Sequence, residues 1–177
     1  PFSVFIGEQD SGRISSARKG IEQLKAVKHR HAEHYTAAID FKSYPGAGHS
    51  LPDAAYQDVS AYFQQHKRIT YPKDVHWAPQ EQWMKRFYNL QIDEPKCGMA
   101  VNSSIADNTI TLSTQSVKEI TVLLNDKLLD LDKPVTVILN GVQVYNAIVL
   151  RRFGVLLKSI HERPDSVYYA SLQLKSQ

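Results

Sequence analysis

Two residues whose types suit proton transfer follow two apolar stretches near the start of the sequence. Asp10 ends the segment GEQD (7–10), just after the apolar run 4–6, and His49 lies in PGAGHS (45–50), just after the stretch 38–44. An imidazole can take a proton from a hydroxyl group, and a carboxylate can hold that imidazole in the tautomer that this step requires. An acid and a histidine on loops at the ends of neighbouring strands are two members of a Ser-His-Asp triad.

Each of these residues also has an ordinary structural explanation. Asp10 can lie in solvent or cap the helix that follows it, and Glu8 is a competing acid in the same loop. His49 can be a turn histidine, although the small residues around it let the backbone turn and bring the ring out beside a strand end. The spacing alone leaves these alternatives open.

The third member of a triad, the nucleophile, is missing from the pattern. A nucleophilic serine between strand and helix occupies a G-x-S-x-G turn, and the nearest match is GHSLP (48–52). Its last position is Pro52, which cannot adopt positive φ and has no amide hydrogen. We therefore interpret Ser50 as a helix cap, with Pro52 and Asp53 belonging to the same helix start.

The other chemically capable side chains do not form a convincing site. His29, His31 and His34 lie near Glu33, but on a helix positions 31 and 34 share a face while 29 points elsewhere. A zinc site needs three or four converging ligands, so we interpret this cluster as a solvated helix end and predict neither a metal nor a cofactor. The single cysteine, Cys97, has no local histidine partner and excludes an internal disulfide.

Residues 1–68 alternate between strand and helix patterns. The stretches 4–6 and 38–44 predict two strands. Ser15 and Ser16 offer a cap for a first helix that continues to about His31, and SLPD (50–53) has the arrangement of a capping box for a second helix. The order strand, helix, strand, helix predicts a βαβα piece of a parallel sheet.

The pattern changes after residue 68. Residues 69–80 predict a linker, because the periodicity fails and Pro72 and Pro79 interrupt it. Residues 81–177 predict an accessory module like a β-sandwich, with Asn140-Gly141 as a two-residue type I′ hairpin and one amphipathic helix that contains Phe153 and Ile160. Its predicted strands are rich in β-branched residues and cover 87–92, 99–105, 108–114, 120–124, 135–139, 142–149 and 167–174.

The composition is that of ordinary globular material, with 42% hydrophobic and 22% charged residues. The net charge of +3 is small and the basic residues form no single run, so we expect no nucleic-acid partner. No apolar stretch approaches the roughly 18 residues of a membrane span, and we expect none. The sequence begins at Pro1 without an initiator Met, which we interpret as an excerpt of a larger protein.

Residues 1–68 resemble the C-terminal lobe of an α/β-hydrolase of the dienelactone hydrolase, esterase and prolyl-peptidase-like type. The resemblance is carried by GEQD (7–10), PGAGHS (45–50) and, in the appended module, LDLDKPV (129–135) with Asn140-Gly141. The whole chain is similar to the tail of secreted bacterial hydrolases in which this lobe precedes a small β-rich module. The resemblance implies that Asp10 is the triad acid, that His49 is the triad base, and that the parent protein is secreted or periplasmic.

Two hypotheses about function follow. In the first, the chain is part of a serine hydrolase that acts on ester or peptide bonds, and it is inactive alone because the nucleophile lies in the missing N-terminal half of the hydrolase domain. That missing half is the expected partner, and the exposed sheet edge of the isolated lobe predicts a homodimer.

In the second hypothesis, the chain is a non-catalytic unit whose β-sandwich binds a carbohydrate or a protein partner. A group of aromatic residues near the junction of the two segments could stack on a sugar, although packing of the module against the lobe is the expectation we prefer. These residues are Trp77, Trp83, Phe87 and Tyr88.

Overall fold

The structure, a computed structural model, describes residues 2–30 and 38–176. Within these residues the chain is a mixed α/β protein that consists mostly of β-sheet, with three helices. It divides into two compact units, Pro1–Arg68 and Ile69–Gln177, which are called the first and second unit below. None of the helices in the described part of the chain has the length and apolar character needed to cross a membrane.

The first unit contains two strands and two helices in alternating order. The strands pair in parallel, in a register that runs from Phe2 opposite Ile39 to Gly7 opposite Tyr44. Because the strands are parallel and end at the same level, the loops that follow them start at the same edge of the sheet. In chain order the elements are β1 (Phe2–Gly7), α1 (Ser11–Arg30), β2 (Ile39–Tyr44) and α2 (Asp53–Gln65).

The core of the first unit is small. Among its described residues, the buried apolar side chains are Ile21 on α1, Tyr44 on β2 and Ala55 on α2. Large apolar side chains on both helices remain exposed, including Tyr56 at 64% and Phe63 at 70%. Two strands therefore cover little of the apolar surface that two helices present.

Both helices of the first unit begin differently from the prediction. α1 starts at Ser11, where the Asp10 carbonyl accepts the amide hydrogen of Ile14, so Ser15 and Ser16 lie inside the helix and do not cap it. The N-cap of α2 is Pro52, with no side-chain cap hydrogen bond, so the interpretation of Ser50 as the cap is wrong. The predicted end of α1 near His31 lies outside the described residues.

The second unit is built from two sheets. One has five strands in the order β10-β9-β7-β6-β3, in which β7 and β9 are parallel and the other pairs antiparallel, and the other has four antiparallel strands in the order β11-β8-β5-β4. In chain order the elements are β3 (Asp74–Trp77), β4 (Arg86–Phe87), β5 (Leu90–Gln91), β6 (Ala100–Ala106), β7 (Thr109–Gln115), β8 (Glu119–Leu124), β9 (Val135–Leu139), β10 (Val142–Ala147), α3 (Phe153–Glu162) and β11 (Ala170–Lys175).

Both sheets contribute to one apolar core. Ile110 on β7 and Val137 on β9 are fully buried, as are Leu90 on β5 and Val122 on β8, and all four belong to one cluster. Along β6 the burial alternates from residue to residue, as expected for a strand with one face on a core. The second unit thus has the substantial core that the first unit lacks.

The turn between β9 and β10 confirms the strongest local prediction. Asn140 and Gly141 both have positive φ, at 51° and 83°, as a type I′ turn requires. The Asn140 side chain also accepts the amide hydrogen of Thr114 at 2.8 Å and donates to Ser176 Oγ at 3.1 Å. This side chain therefore ties the turn to β7 and to the residue after β11.

Two strand predictions in the second unit differ from the structure. β3 lies inside the segment 69–80 predicted as a linker, because four alternating residues between two prolines give too short a signal. The single strand predicted over 87–92 is instead two short strands, β4 and β5, joined by a tight turn at Tyr88 and Asn89. Tyr88 adopts φ of 52° there without the glycine that usually marks such a turn.

Candidate active site

The ends of β1 and β2 bring the two predicted site residues together. Glu8 donates its amide hydrogen to the carbonyl of Tyr44 at 3.0 Å, and Gln9 donates to the carbonyl of Ala47 at 2.8 Å. These bonds join the loop before α1 to the loop that carries His49. The site therefore lies beyond the carboxyl ends of parallel strands, where open α/β sheets bind their ligands.

Gly7 is the residue that allows the two loops to approach. A Cβ atom at Gly7 would lie 2.7 Å from the carbonyl carbon of Ala47 and still closer to the oxygens of Ala47 and Gly48. A glycine at this position is thus a steric requirement of the loop before His49. Gly46, in the same loop, has φ of 73°, a backbone conformation that favours glycine.

Asp10 and His49 are in contact. Nδ1 of His49 lies 3.2 Å from Oδ2 of Asp10. The side chain of Asp10 is 17% exposed, whereas that of His49 is 78% exposed. The carboxylate thus lies beneath an imidazole ring whose outer side is open to solvent, an arrangement in which an acid orients a base that a second molecule can reach.

Arg13, on the first turn of α1, completes a cluster of three residues. Its Nη1 atom lies closest to Nδ1 of His49, is 3.2 Å from Nε2, and is 3.6 Å from Oδ2 of Asp10. A guanidinium can only donate, so the ring nitrogen that accepts from it must carry no proton. If Nε2 accepts, Nδ1 keeps its proton for Asp10, whereas if Nδ1 accepts, the hydrogen bond to Asp10 cannot form.

The sequence did not single out Arg13. The sequence feature that could have identified Arg13 is its position three residues after Asp10, because this spacing brings two side chains close on the first turn of a helix. That signal becomes visible only when α1 is known to start at Ser11. The competing acid, Glu8, accepts a hydrogen bond from Ser43 Oγ at 2.8 Å and so is bound to β2, while the acid in contact with His49 is Asp10.

A buried tyrosine anchors the strand from which the His49 loop leaves. The hydroxyl of Tyr44 donates to Asp58 on α2 at 2.6 Å, and Lys42 lies 2.6 Å from the same carboxylate oxygen. Burial raises the pKa of Tyr44 to about 12, and the hydrogen bond and negative charge of Asp58 act in the same direction. The hydrogen bonds from Lys42 and Tyr44 hold the pKa of Asp58 below its usual range.

The other candidate residues in the described part of the chain do not form a metal site. No group of three histidine, cysteine, aspartate or glutamate side chains that could hold a metal converges within residues 2–30 and 38–176. His31, Glu33 and His34 of the predicted helix end lie outside those residues. Cys97 is exposed, with its Sγ atom 3.7 Å from the side-chain oxygen of Gln80.

The aromatic residues noted in the sequence have different environments. Trp77 is buried in the core of the second unit, and its ring stacks on that of Phe87 at a centroid distance of 6.1 Å. Trp83 is 73% exposed.

Comparison of the chain with protein-family models, curated proteins and solved structures found no match.

Proposed function

We propose that the first unit supplies the acid and the base of a serine hydrolase that cleaves ester or peptide bonds. In this proposal Asp10 orients His49, and His49 takes the proton of a serine hydroxyl that is not among the described residues. The observation that carries the proposal is the 3.2 Å contact between His49 Nδ1 and Asp10 Oδ2 beyond the paired ends of β1 and β2.

The proposed roles follow from the tautomer in which Nδ1 donates to Asp10. That bond leaves the lone pair of Nε2 for the serine hydroxyl, whose oxygen attacks the carbonyl carbon of the substrate while Nε2 takes the proton. The same proton then passes from Nε2 to the leaving group, and the carboxylate of Asp10 stabilises the imidazolium in between. The 78% exposure of His49 supports the proposal, because the nucleophile needs an open path to the ring.

Arg13 has a definite place in this proposal. Its Nη1 atom lies 3.2 Å from Nε2 and closer still to Nδ1, so the proposed tautomer requires the guanidinium to leave Nδ1, and a docking serine hydroxyl would donate to Nε2. The guanidinium is 63% exposed and can turn outward, so we propose that the serine hydroxyl replaces it when the nucleophile docks.

The small core of the first unit supports the further proposal that it is the C-terminal βαβα portion of an α/β-hydrolase sheet. Within residues 2–30 and 38–68, β1 and β2 pair only with each other, so further strands beside them would pair their outer edges and cover exposed side chains such as Tyr56 and Phe63. The proposed partner is therefore the N-terminal half of the hydrolase domain, with the second unit as an accessory module like a β-sandwich.

The test uses the complete gene product that contains these residues, assayed with a p-nitrophenyl ester. We expect Asp10→Asn to lower kcat by about 10⁴-fold, as loss of the orienting carboxylate does in a triad, and His49→Ala to lower it at least as far. His66→Ala, a histidine change in the same unit at the end of α2, is the matched control and should leave the rate unchanged. Wild-type turnover in folded Asp10→Asn or His49→Ala protein would overturn the proposal.

The 177-residue chain by itself gives an independent check. We expect it to hydrolyse no p-nitrophenyl ester, because the proposal places the nucleophile elsewhere. Turnover that disappears in His49→Ala would contradict this expectation and would mean that a serine within the chain is the nucleophile.

The exposed edge of the first unit also predicts association of the isolated chain. We propose a homodimer in which the sheet edges of two copies pair. Among the described residues each strand of this sheet has an outer edge without a partner strand, and such an edge favours pairing with another chain. Sedimentation velocity at micromolar concentrations should give a dimer. A strict monomer would contradict the proposed pairing.

A further inference from the structure

A row of polar side chains crosses the four-stranded sheet of the second unit from edge to edge. Arg86 on β4 is opposite Gln91 on β5, Gln91 is opposite Thr121 on β8, and Thr121 is opposite Gln173 on β11. Directly opposed residues on neighbouring strands lie on the same face of a sheet. The four side chains therefore share one face, although they come from distant parts of the sequence.

This face is the outer one. The sequence neighbours of the row, Leu90, Ile120 and Val122, are buried in the core at 1% exposure or less. Successive residues of a strand point to opposite faces, so Gln91 and Thr121 must point away from the core. The polar row thus lies on the face opposite the core, where α3 lines part of the same cavity and the side chain of Arg86 is only 10% exposed.

Three cavities open along this row and share Gln91 in their linings, and together they are called the groove below. A cavity of about 210 Å³ lies over Gln91, Thr121 and Gln173, with Lys158 and Glu162 of α3 as one wall. A cavity of about 750 Å³ extends from Gln91 to Trp83, and one of about 360 Å³ extends from Gln91 and Thr121 in another direction. Gln91 lines all three, so the cavities adjoin at this residue.

The side chains at the centre of the groove are suited to hydroxyl groups. Amides and hydroxyls both donate and accept hydrogen bonds, as sugar hydroxyls do. Gln91 Nε2 donates to Asp93 at 3.0 Å, and Gln173 Nε2 donates to Glu119. Each of these bonds uses one N–H group and fixes the orientation of the glutamine amide. The amide oxygen and the second N–H take no part in that bond.

The two cations beside the centre of the row, Arg86 and Lys158, both pair with Glu162. Arg86 lies 3.3 Å from Glu162, and Lys158 lies 3.7 Å from the same side chain. Arg86 is also fixed over the ring of Tyr168 at 5.0 Å and donates to the Ser166 carbonyl at 3.2 Å. Both cations beside the row are thus engaged in contacts within the protein, which favours a neutral polar ligand over an anion at the centre of the groove.

Trp83 adds a flat apolar surface at one end of the groove. Its side chain is 73% exposed, and a buried aromatic ring contributes a large apolar contact area to binding. A pyranose ring presents an apolar C–H face together with a rim of hydroxyls, which matches an indole followed by a polar row. We propose that this groove binds a neutral oligosaccharide.

An extended peptide is the competing occupant, and the sheet argues against it. Peptides that join sheets pair with the backbone of an edge strand, but β5 and β8 are inner strands whose backbones pair on both sides. A peptide that lay over β5 and β8 would have to be recognised by side chains alone. The proposal does not depend on the hydrolase function of the first unit.

The experiment is affinity electrophoresis of the 177-residue chain through gels that contain a soluble neutral polysaccharide: β-glucan, xylan, galactomannan or starch. We expect at least one of these to retard the chain. Thr121→Val removes one hydroxyl from the row and Trp83→Ala removes the stacking surface, and each should weaken binding about tenfold, the effect of one lost contact of this kind. Thr111→Val, the same change on an exposed site of β7 in the other sheet, should bind like wild type.

Several results would overturn the proposal. They are the absence of retardation by all four polysaccharides, equal binding by Thr121→Val and wild type, and retardation by polygalacturonate alone that disappears with added salt. Retention of carboxymethylated casein in place of any glycan would show that the groove takes polypeptide. Circular dichroism of each variant establishes that its fold is intact before its binding is compared.

Discussion

Replacing Gly7 by alanine should separate His49 from Asp10 without touching either residue. The new Cβ would lie 2.7 Å from the Ala47 carbonyl carbon, whereas ordinary contacts begin at about 3.4 Å. The atoms it meets are backbone atoms, which cannot turn aside as a side chain can. The loop that carries His49 must therefore move by roughly 1 Å, because volume added to a well-packed site forces the backbone to shift. Such a shift breaks the 3.2 Å contact between His49 and Asp10.

The size of the effect follows from the same geometry. Overpacking by one methyl group costs about 1–3 kcal/mol. Loss of the hydrogen bond from Gln9 to the Ala47 carbonyl costs about 1 kcal/mol more. We therefore expect Gly7→Ala to lower the free energy of opening of the first unit by about 2–4 kcal/mol.

Amide hydrogen exchange followed by NMR measures this quantity separately for each unit. The amides of Glu8 and Gln9 should exchange faster in Gly7→Ala, while those of the second unit, such as Val122, should keep their wild-type rates. Gly20→Ala is the matched control, because a Cβ there meets nothing within 4 Å and alanine stabilises a helix interior by about 0.5–1 kcal/mol. Unchanged protection of Glu8 and Gln9 in Gly7→Ala would refute the steric argument.

Three further predictions concern other parts of the chain. Because the pKa of Tyr44 is raised to about 12, the folded state keeps a proton that the unfolded state releases above about pH 10. The stability of the first unit should therefore fall as the pH rises from about 10 to about 12. Asp58→Asn should lower the Tyr44 pKa, as measured by the pH dependence of its Cζ chemical shift in NMR, and an unchanged value would argue against the Asp58 bond. Arg151→Met removes ion pairs to Asp126 at 2.8 Å and Asp132 at 2.7 Å. Because solvent screens these partly exposed charges, chemical denaturation of the second unit should show only a small loss of stability, compared with no loss in Lys127→Met. Asn140→Ala should cost about 1–2 kcal/mol in the same measurement, because alanine tolerates the positive φ poorly and the bonds to Thr114 and Ser176 are lost, whereas Asn146→Ala on β10 should cost little.

Local signals predicted much of the fold. The apolar runs predicted β1 and β2, and the β-branched stretches predicted most strands of the second unit. Asn140-Gly141 predicted its hairpin turn. These elements could be predicted because each is determined by residues that are neighbours in the sequence. The turn at Tyr88 and Asn89 was missed because it lacks glycine. The alternation of β3 was too short to distinguish from a linker between prolines.

Long-range geometry set the limit for the sites. The residue types of Asp10 and His49 and their positions after strands suggested a pair, but their contact depends on β1 and β2 being parallel neighbours with ends in register. The approach of Arg13 depends on the true start of α1. Gln91, Thr121 and Gln173 could not be recognised as one row from the sequence, because only strand pairing brings them together.

The most direct test of the acid–base pair is the position of the proton on the His49 ring. Long-range ¹H–¹⁵N NMR spectra of the chain, recorded where the imidazole is neutral, distinguish a proton on Nδ1 from one on Nε2. We expect the Nδ1–H tautomer to predominate in the wild-type chain, with its proton donated to Asp10 and with Nε2, not Nδ1, accepting from Arg13. Asp10→Asn should shift the population toward Nε2–H. A wild-type ring protonated mainly on Nε2, with the same population in Asp10→Asn, would contradict the account.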